Sequence, residues 1–356
     1  MAFNLLWVFI QPLSWVNRLS VYNVLVPGRE RFAFGEYSAE SYSLIVNSLD
    51  QLFASHVIAP PKPRDEFRVV LIGDSAVWGY LLPPQATQSA CINRLRLAAP
   101  NGKTVRAYNL GYPKLTVIKD LLILQRALAH QPDLILWQTT LASLYPSDQL
   151  DFALITSHRA ELDALQAQYR FKLDQYPLPE ADFWSQTFFG QRRDVADWLR
   201  HQLYGIGWAL TGRDHVIPRL LRPHPTNLLP DDSLLSVNVV RLQAERTITA
   251  DDLNFDVLRV GIGMAQAVNV PLVLINEPIY RKVDDPLRYN SYYPRWAYDG
   301  YREVFAQLAA AEQWRYLDLW DAVPPDQFTD TDFHLTAEAN CAYAEQMITA
   351  ALSKLE

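Results

Sequence analysis

Five short runs of apolar and β-branched residues alternate with segments that have the period of amphipathic helices. The runs span residues 68–72, 104–110, 133–138, 271–276 and 315–319. The helical segments between and after them span 89–98, 116–129, 250–267, 298–311 and 336–355. Short continuous apolar runs are typical of strands buried on both faces, and intervening helices are the usual crossovers between parallel strands. The pattern therefore predicts an α/β protein with a central five-stranded parallel sheet.

The alternation is interrupted between residues 146 and 248, where no strong strand pattern occurs. The middle of this region places aromatic residues among Arg and Asp at helix-like intervals, namely Trp184, Phe188, Phe189, Trp198, Tyr204 and Trp208. This favours an amphipathic helical insertion that covers the sheet. The alternative is that these aromatics line an acyl or sugar pocket or touch a membrane surface. The stretch 223–225 is interpreted as the return linker.

The N-terminus is an apolar run, residues 3–16, that is broken by Gln11 and Pro12. It is too short to span a bilayer and has no basic residue ahead of it, so neither a complete transmembrane helix nor a signal peptide is predicted. It is interpreted either as the end of a membrane anchor or as an apolar helix that packs on the protein or enters a membrane interface. The predicted divisions are 1–35, 36–145, 146–248 and 249–356.

Charge and cysteine content narrow the function classes. Acidic residues outnumber basic ones by 39 to 32, and no basic run occurs, so nucleic-acid binding is disfavoured. Cys91 and Cys341 lie far apart, without a CxxC motif or a paired histidine. We therefore expect neither a zinc site nor a disulfide framework, and interpret both cysteines as small core residues. No cofactor is predicted.

A serine follows the first predicted strand in the segment Gly73-Asp74-Ser75-Ala76-Val77-Trp78-Gly79. Open α/β sheets bind ligands at the carboxyl ends of their strands, so Ser75 is expected at the ligand edge. A strand-to-helix turn also directs the backbone N–H of Ser75 towards incoming negative charge. The alternative is that Gly-Asp-Ser only caps a helix.

A histidine with acidic neighbours lies between the last predicted strand and the last predicted helix. His334 is preceded by Asp330 and Asp332. Its position after a strand predicts that it reaches the same sheet edge as Ser75. A nucleophilic serine needs a base within hydrogen-bond reach, and that base needs a carboxylate to hold its tautomer. The alternative is that these residues only cap the last helix.

These features resemble the SGNH/GDSL hydrolase superfamily over residues 67–145 and 250–355. The resemblance rests on GDSxxxG after strand one, Gly111 after strand two, and the Asp-flanked His334. It implies a flavodoxin-like three-layer α/β/α sandwich with strand order 2-1-3-4-5. It also implies that Ser75 is the nucleophile, that His334 is the general base, and that the N–H groups of Ser75 and Gly111 bind the oxyanion.

The segment after strand three departs from the family pattern. The family carries Gly-x-Asn-Asp there, and its asparagine is a third oxyanion donor. Here the sequence is Gln138-Thr139-Thr140, so the asparagine has no counterpart. Thr140 is the candidate replacement, with Gln138 and Thr139 as alternatives.

The acid–histidine spacing also departs from the family pattern. The family's Asp-x-x-His would need an acid at Thr331, but the acids lie one residue to either side. Asp330 is favoured because one extra loop residue can still fold its carboxylate back to the imidazole. Asp332 would point away from the ring in an extended segment.

The sequence therefore predicts a serine-dependent acyl-ester hydrolase that acts through an acyl-serine on a small-molecule or carbohydrate ester. One alternative is an O-acyltransferase or acetyltransferase acting on a cell-envelope polysaccharide, and another is a non-catalytic binding module of the same fold. The apolar N-terminus favours membrane association and a cell-envelope location, with the cytoplasm as the alternative. Glu277, after strand four, would suit a glycosidase only in a barrel of about eight strands with a second carboxylate nearby.

Overall fold

The computed structural model describes residues 1–27, 48–150, 153–173, 182–212 and 245–355. The described residues form two compact units. The larger unit contains 63–149, 169–173 and 245–355, and the smaller contains most of the remaining described residues. The predicted return linker 223–225 and the predicted start of the second segment, 36–47, lie outside the described residues.

The larger unit is built on one parallel sheet of five strands, which confirms the predicted fold class. The strands are β1 (Glu66–Ile72), β2 (Thr104–Asn109), β3 (Leu134–Thr139), β4 (Leu272–Asn276) and β5 (Arg315–Asp318). Their order across the sheet is β2-β1-β3-β4-β5, and every neighbouring pair is parallel. This is the order that the resemblance to the SGNH/GDSL superfamily implies. An open five-stranded sheet is incompatible with the (β/α)8 barrel required by the glycosidase interpretation.

Helices cover both faces of the sheet. They are α5 (Ser75–Trp78), α6 (Gln88–Leu95), α7 (Val117–Leu128), α11 (Phe255–Ala267), α12 (Arg295–Ala311) and α13 (Ala337–Ser353). On one face, Val69 and Leu71 of β1 share a core with residues of α6 and α13. On the other face, Trp137 of β3 packs against Gly261 of α11, which also faces Leu124 of α7. The sheet is therefore the middle layer of a three-layer sandwich.

One predicted helix is divided in two. The segment 250–267 begins with a separate 3-10 turn, Ala250–Asp252, and α11 starts only at Phe255. The Thr249 side chain donates to Asp252 Oδ2 at 2.7 Å, and the Thr249 N–H donates to the same oxygen at 2.8 Å. Thr249 therefore caps the single turn ahead of α11, not α11 itself.

The expectation for the two cysteines is wrong. Cys91 of α6 and Cys341 of α13 form a disulfide, with a Cα–Cα separation of 5.2 Å. The two residues are 250 positions apart in the chain. They meet because α6 and α13 pack side by side on the same face of the sheet. A spacing argument could not detect this pairing, since it depends on the tertiary arrangement of two helices.

The smaller unit is helical. Its helices are α1 (Ala2–Ile10), α2 (Leu13–Val16), α3 (Val21–Leu25), α4 (Leu49–Ser55), α8 (Ala153–Ser157), α9 (Arg159–Tyr169) and α10 (Arg192–Thr211). The last residue of α9, Tyr169, belongs to the larger unit. The N-terminal segment lies along α10, where Trp198 Nε1 donates to the Val16 carbonyl at 2.9 Å. Tyr22 and Trp208 bury each other in a small core. The N-terminal segment and the middle insertion, which the sequence separates, therefore belong to one unit.

The N-terminal helix α1 is unusual in that none of its nine residues is buried. Phe9 is 89% exposed and Leu6 is 56% exposed, whereas Trp7 packs edge-on against Phe188. Further exposed apolar side chains occur on α10, where Leu203 is 66% exposed. Within the described ranges, no helix is both long enough and apolar enough to cross a membrane.

Candidate functional site

Ser75 lies in the turn that links β1 to α5. Asp74 is the N-cap of α5, and its Oδ1 accepts a hydrogen bond from the Ala76 N–H at 2.8 Å. Gly79 ends this short helix with a φ of 90°, a left-handed conformation that favours glycine. The GDSxxxG pattern thus folds into one turn of helix, with Ser75 as its first residue at the carboxyl end of a central strand.

Ser75, His334 and Asp330 form a continuous chain of side-chain contacts. The distance from Ser75 Oγ to His334 Nε2 is 2.9 Å, and the distance from His334 Nδ1 to Asp330 Oδ1 is 3.0 Å. An ionised carboxylate can only accept a hydrogen bond, so Nδ1 carries the proton and Nε2 is free to accept from the serine hydroxyl. This is the tautomer that a general base for Ser75 requires.

A closed loop presents His334 and Asp330 to each other. Phe328 and Leu335 form an isolated antiparallel bridge, and the Thr329 N–H donates to the His334 carbonyl at 2.9 Å. Thr336 then caps α13 through its hydroxyl. Because the loop turns back on itself, an acid four residues before the histidine reaches the ring.

The electrostatics of Asp330 favour its ionised form. Partial burial raises the pKa of this carboxyl, but hydrogen bonds from His334 and Thr329, together with the charge of His334, outweigh burial and hold the pKa below its ordinary value. The Thr329 hydroxyl donates to Asp330 Oδ1 at 3.1 Å. An ionised Asp330 orients the imidazole and stabilises the imidazolium that forms when His334 takes a proton.

Asp332, the second candidate acid, is directed elsewhere. Its side chain is 1% exposed, and its Oδ2 accepts hydrogen bonds from both the N–H and the hydroxyl of Ser291. The Asp332 carbonyl accepts from the Tyr280 N–H at 2.8 Å. Asp332 therefore ties the histidine loop to two points of the segment between β4 and α12, and the structure brings Asp330, not Asp332, to the imidazole.

Gly111 lies beside the nucleophile, but its N–H is not directed at the site. This N–H donates to the Asn109 side-chain oxygen at 2.9 Å, while the Asn109 amide donates to the Trp78 carbonyl at 3.1 Å. A Cβ at Gly111 would lie 2.4 Å from the Trp78 nitrogen. The role of Gly111 as an oxyanion donor stays a prediction, and in the structure its missing Cβ allows close packing of the backbones of Gly111 and Trp78.

Thr140 also does not reach the site. It is fully buried, and its hydroxyl lies 3.1 Å from the hydroxyl of Tyr293. The Tyr293 oxygen accepts from the Ala142 N–H, so its own proton is free to go to Thr140. Gln138 is likewise occupied, because its amide contacts Gln88 and Tyr343. The predicted oxyanion role of Thr140 is corrected to a buried structural contact.

The Ser75 N–H is the oxyanion donor that the geometry leaves available. Within the described part of the chain, this N–H has no hydrogen-bond acceptor, whereas the next N–H along the helix, that of Ala76, is taken by Asp74. A donor at the first residue of a helix points away from the helix body and towards incoming negative charge. The Tyr80 ring lies 4.9 Å from the His334 ring and borders the site on the imidazole side.

A group of buried ionisable residues lies beneath the serine turn. Lys119 and Asp120 of α7 are 0% and 2% exposed. Glu277, at the end of β4, is 2% exposed, and Asp74 is 4% exposed. Burial raises the pKa of Glu277 well above its ordinary value, and the charges of Asp74 and Asp120 raise it further. Sequence reasoning missed this cluster because its members come from three separate segments.

No family model and no curated protein matches this sequence. Among solved structures, the chain is similar to a GDSL-like lipase from Bacteroides thetaiotaomicron, at 11% identity and a TM-score of 0.37 over 83% of this chain and 93% of that one. It is also similar to a catalytic variant of an acetylxylan esterase from Geobacillus stearothermophilus, at 12% identity and a TM-score of 0.40 over 80% and 93%. A carbohydrate acetylesterase from Sinorhizobium meliloti matches at 11% identity and a TM-score of 0.32 over 79% and 98%. Likeness of this degree carries no argument about activity.

Proposed function

We propose that this chain, with its SGNH-type strand order, is a serine-dependent acyl-ester hydrolase. The observation that supports this most directly is the chain of contacts from Ser75 Oγ to His334 Nε2 at 2.9 Å and from His334 Nδ1 to Asp330 at 3.0 Å. Two loops separated by more than 250 residues contribute these side chains. The nucleophile Ser75 is thus within hydrogen-bond reach of the base His334, and His334 is within reach of the orienting acid Asp330.

The reaction follows from the direction of these contacts. As Ser75 Oγ attacks the acyl carbon, its proton passes to His334 Nε2, and Asp330 stabilises the imidazolium. The protonated His334 then gives this proton to the departing alkoxide, which leaves as an alcohol, and the acyl group stays on Ser75. In the second half, His334 takes a proton from water, the hydroxide attacks the acyl carbon, and Ser75 leaves with the proton as the acid is released.

The oxyanion of each tetrahedral intermediate is held by the Ser75 N–H in this proposal. Losing one donor from an oxyanion hole typically costs about 10²- to 10³-fold in rate. Since Gly111 and Thr140 are engaged elsewhere, we expect slow turnover of simple activated esters compared with enzymes that hold three donors. A substrate that displaces the Asn109 contact from the Gly111 N–H would regain one of them.

Hydrolysis of a short-chain nitrophenyl ester by the purified chain tests the proposal. Ser75→Ala and His334→Ala should each lower kcat by about a thousandfold or more, because either change removes the covalent route. Ser89→Ala is the matched control, since Ser89 is a buried serine whose hydroxyl contacts Thr87. Full activity in the Ser75→Ala variant would exclude Ser75 as the nucleophile, whereas a wild-type chain that hydrolyses no ester would favour a non-catalytic binding module.

Acyl transfer shares the first half of this reaction. Water or a sugar hydroxyl can accept the acyl group from Ser75, so the alternative activity is O-acylation of a cell-envelope polysaccharide. Product analysis with an acetyl donor, with and without an oligosaccharide, separates the two. Free acetate in both samples indicates hydrolysis, whereas acetylated oligosaccharide formed at the expense of acetate indicates transfer.

We also infer that the N-terminal helices lie on a lipid surface. The exposed side chains of α1 include Phe3, Leu5 and Phe9, which are 58%, 53% and 89% exposed and form one apolar face of the helix. Trp15 is 53% exposed at the next helix, as expected for a residue at the boundary between lipid and water. Arg18 is the one charged residue among positions 1–27, and its side chain is 70% exposed.

A further inference from the structure

Three carboxyl groups and one ammonium group are buried together beneath the serine turn. Asp74 follows β1, Lys119 and Asp120 belong to α7, and Glu277 follows β4. Each is at most 4% exposed. With every group ionised, this pocket would hold an excess of negative charge in a place that water does not reach, an arrangement that is strongly unfavourable.

The ammonium group of Lys119 makes no hydrogen bond to Glu277. Lys119 Nζ donates to the carbonyl oxygens of Gly73 and Tyr112 at 2.7 and 2.8 Å, and it forms an ion pair with Asp120 Oδ1 at 2.7 Å. The second oxygen of Asp120 accepts from the Trp137 indole at 3.1 Å. Both oxygens of Glu277 lack a donor among the described residues, so the charges of Asp74 and Glu277 must be accommodated otherwise.

Asp74 and Glu277 are neighbours, and their carboxyl groups can share one proton. Asp74 Oδ1 accepts from the Ala76 N–H, but Asp74 Oδ2 and both Glu277 oxygens receive no donor from the described residues. Asp74 is at the same time the hydrogen-bond neighbour of Glu277. Two carboxylates have no hydrogen between them, so this bond exists only when one of them is protonated.

We propose that Glu277 is a neutral carboxylic acid that donates a hydrogen bond to Asp74 Oδ2 and thereby fixes the cap of the nucleophile turn. The donor is Glu277 because Asp74 Oδ1 already accepts from the Ala76 N–H, whereas neither oxygen of Glu277 has a partner among the described residues. Glu277 is then a positioning residue: it acts on Ser75 through Asp74 and touches no reacting atom. The effect on catalysis rests on the proposed function, whereas the protonation of Glu277 does not.

Other titratable groups surround the pair without supplying a counter-charge. The neighbours with an electrostatic effect on Glu277, or affected by it, are Asp74, Lys119, Asp120, Tyr293, Tyr298 and Tyr343. Burial raises the pKa of each of these three tyrosines well above its ordinary value, so they stay neutral. The only cation among these neighbours is Lys119, which makes no hydrogen bond to either oxygen of Glu277.

Infrared spectroscopy of the full chain tests the protonation directly. At neutral pH, a protonated carboxyl gives a carbonyl band that ionised carboxylates lack. We expect this band in the wild-type protein and its loss in Glu277→Gln, whose amide can still donate to Asp74. A wild-type spectrum without the band, or a band that persists unchanged in Glu277→Gln, would overturn the proposal. Because the first of these results needs no variant, the test does not depend on how the variant folds.

Thermal unfolding as a function of pH gives a second readout. A carboxyl with a raised pKa in the folded state contributes stability that is fully present below its unfolded pKa and is lost as the pH rises through the folded pKa. Replacing it with glutamine removes this loss, so the Tm of Glu277→Gln relative to wild type should increase from pH 5 to about pH 9. A Tm difference that does not change with pH would contradict the proposal.

Glu66→Gln is the matched control, because Glu66 is also a buried carboxyl but is paired with Arg68 and Tyr108. Losing these partners should lower the Tm without any gain at high pH. Activity adds a separate readout. In wild type, kcat should fall at alkaline pH as Glu277 ionises beside Asp74, and Glu277→Gln should keep its kcat there with KM unchanged. If neither protein turns over esters, the proposed function fails while the infrared and Tm results still decide the protonation of Glu277.

Discussion

At the scale of single residues, the site distinguishes two aspartates that both flank His334 in the sequence. Asp330 contacts the imidazole, and Asp332 contacts Ser291. Both lie within four residues of His334, and the sequence favours Asp330 because its carboxylate can fold back to the ring. The structure shows this fold, since the loop from Phe328 to Leu335 closes on itself.

Asp330→Asn and Asp332→Asn should therefore have different effects. Asp330→Asn should lower kcat by about 10³- to 10⁴-fold with little change in KM, because the amide no longer holds the required tautomer of His334. Asp332→Asn should mainly lower the Tm, since it weakens a buried carboxylate contact worth about 1–3 kcal/mol. Steady-state kinetics and thermal unfolding of both variants provide the comparison. Equal loss of kcat in both variants would contradict the assignment of Asp330.

The Asp330→Asn variant also has a predictable dependence on pH. The pKa of Asp330 is below its ordinary value in the folded protein, so its stabilisation is present above the unfolded pKa of about 3.9 and is lost as the pH falls through the folded pKa. The Tm difference between wild type and Asp330→Asn should therefore be largest near neutral pH. It should shrink in acid, and a difference that grows in acid would contradict the ion-pair account.

At the scale of elements, the packing of the segment after β2 against α5 sets the position of Ser75. Gly111→Ala would place a methyl group 2.4 Å from the Trp78 nitrogen, which forces α5 to move. We expect a loss of stability of about 1–3 kcal/mol and slower reaction at Ser75. Gly263→Ala is the matched control, because a Cβ at this position of α11 meets nothing within 4 Å. The control should be neutral or stabilising, as alanine favours helix.

The disulfide between α6 and α13 is a second element-scale feature with a measurable effect. It closes a loop of 250 residues, and disulfides typically contribute about 2–4 kcal/mol, more for longer loops. Replacing both cysteines, Cys91→Ala with Cys341→Ala, should lower the Tm, and a reducing agent should lower the wild-type Tm without affecting the double variant. If the reductant shifted both proteins equally, the bond would not be the cause. Persistent disulfides are typical of oxidising compartments, which agrees with a cell-envelope location.

The sequence predicts the strands and helices of the larger unit well, but not the contacts between their ends. All five predicted strands overlap the observed ones, because short apolar runs between helices have few other solutions. Lys119 and Asp120 are buried as an ion pair, which the helical period of their segment does not predict. The hydrogen bond from Gly111 to Asn109 and the disulfide depend on distances between remote segments, which periodicity does not encode.

At the scale of the whole molecule, the described residues divide into a helical unit and a sheet unit. The formal charge of −7 makes attraction to an anionic lipid surface weak, so membrane contact would have to come from apolar side chains. We expect the wild-type chain to co-sediment with phosphatidylcholine vesicles and Phe9→Ser with Leu6→Ser to reduce this binding. Val283→Ser with Leu287→Ser is a control, because these exposed apolar residues lie in the other unit. Concentration-dependent dimers without vesicle binding would contradict a lipid contact.

Ser75 and His334, from segments that are remote in the chain, act together as nucleophile and base in the proposed reaction. The most direct measurement is the intact mass of the chain after treatment with a fluorophosphonate probe, which reacts with activated serines. The account predicts a single adduct on Ser75 in the wild type, a much slower reaction in His334→Ala, and no adduct in Ser75→Ala. An unmodified wild-type protein, or an adduct that forms equally fast without His334, would contradict it.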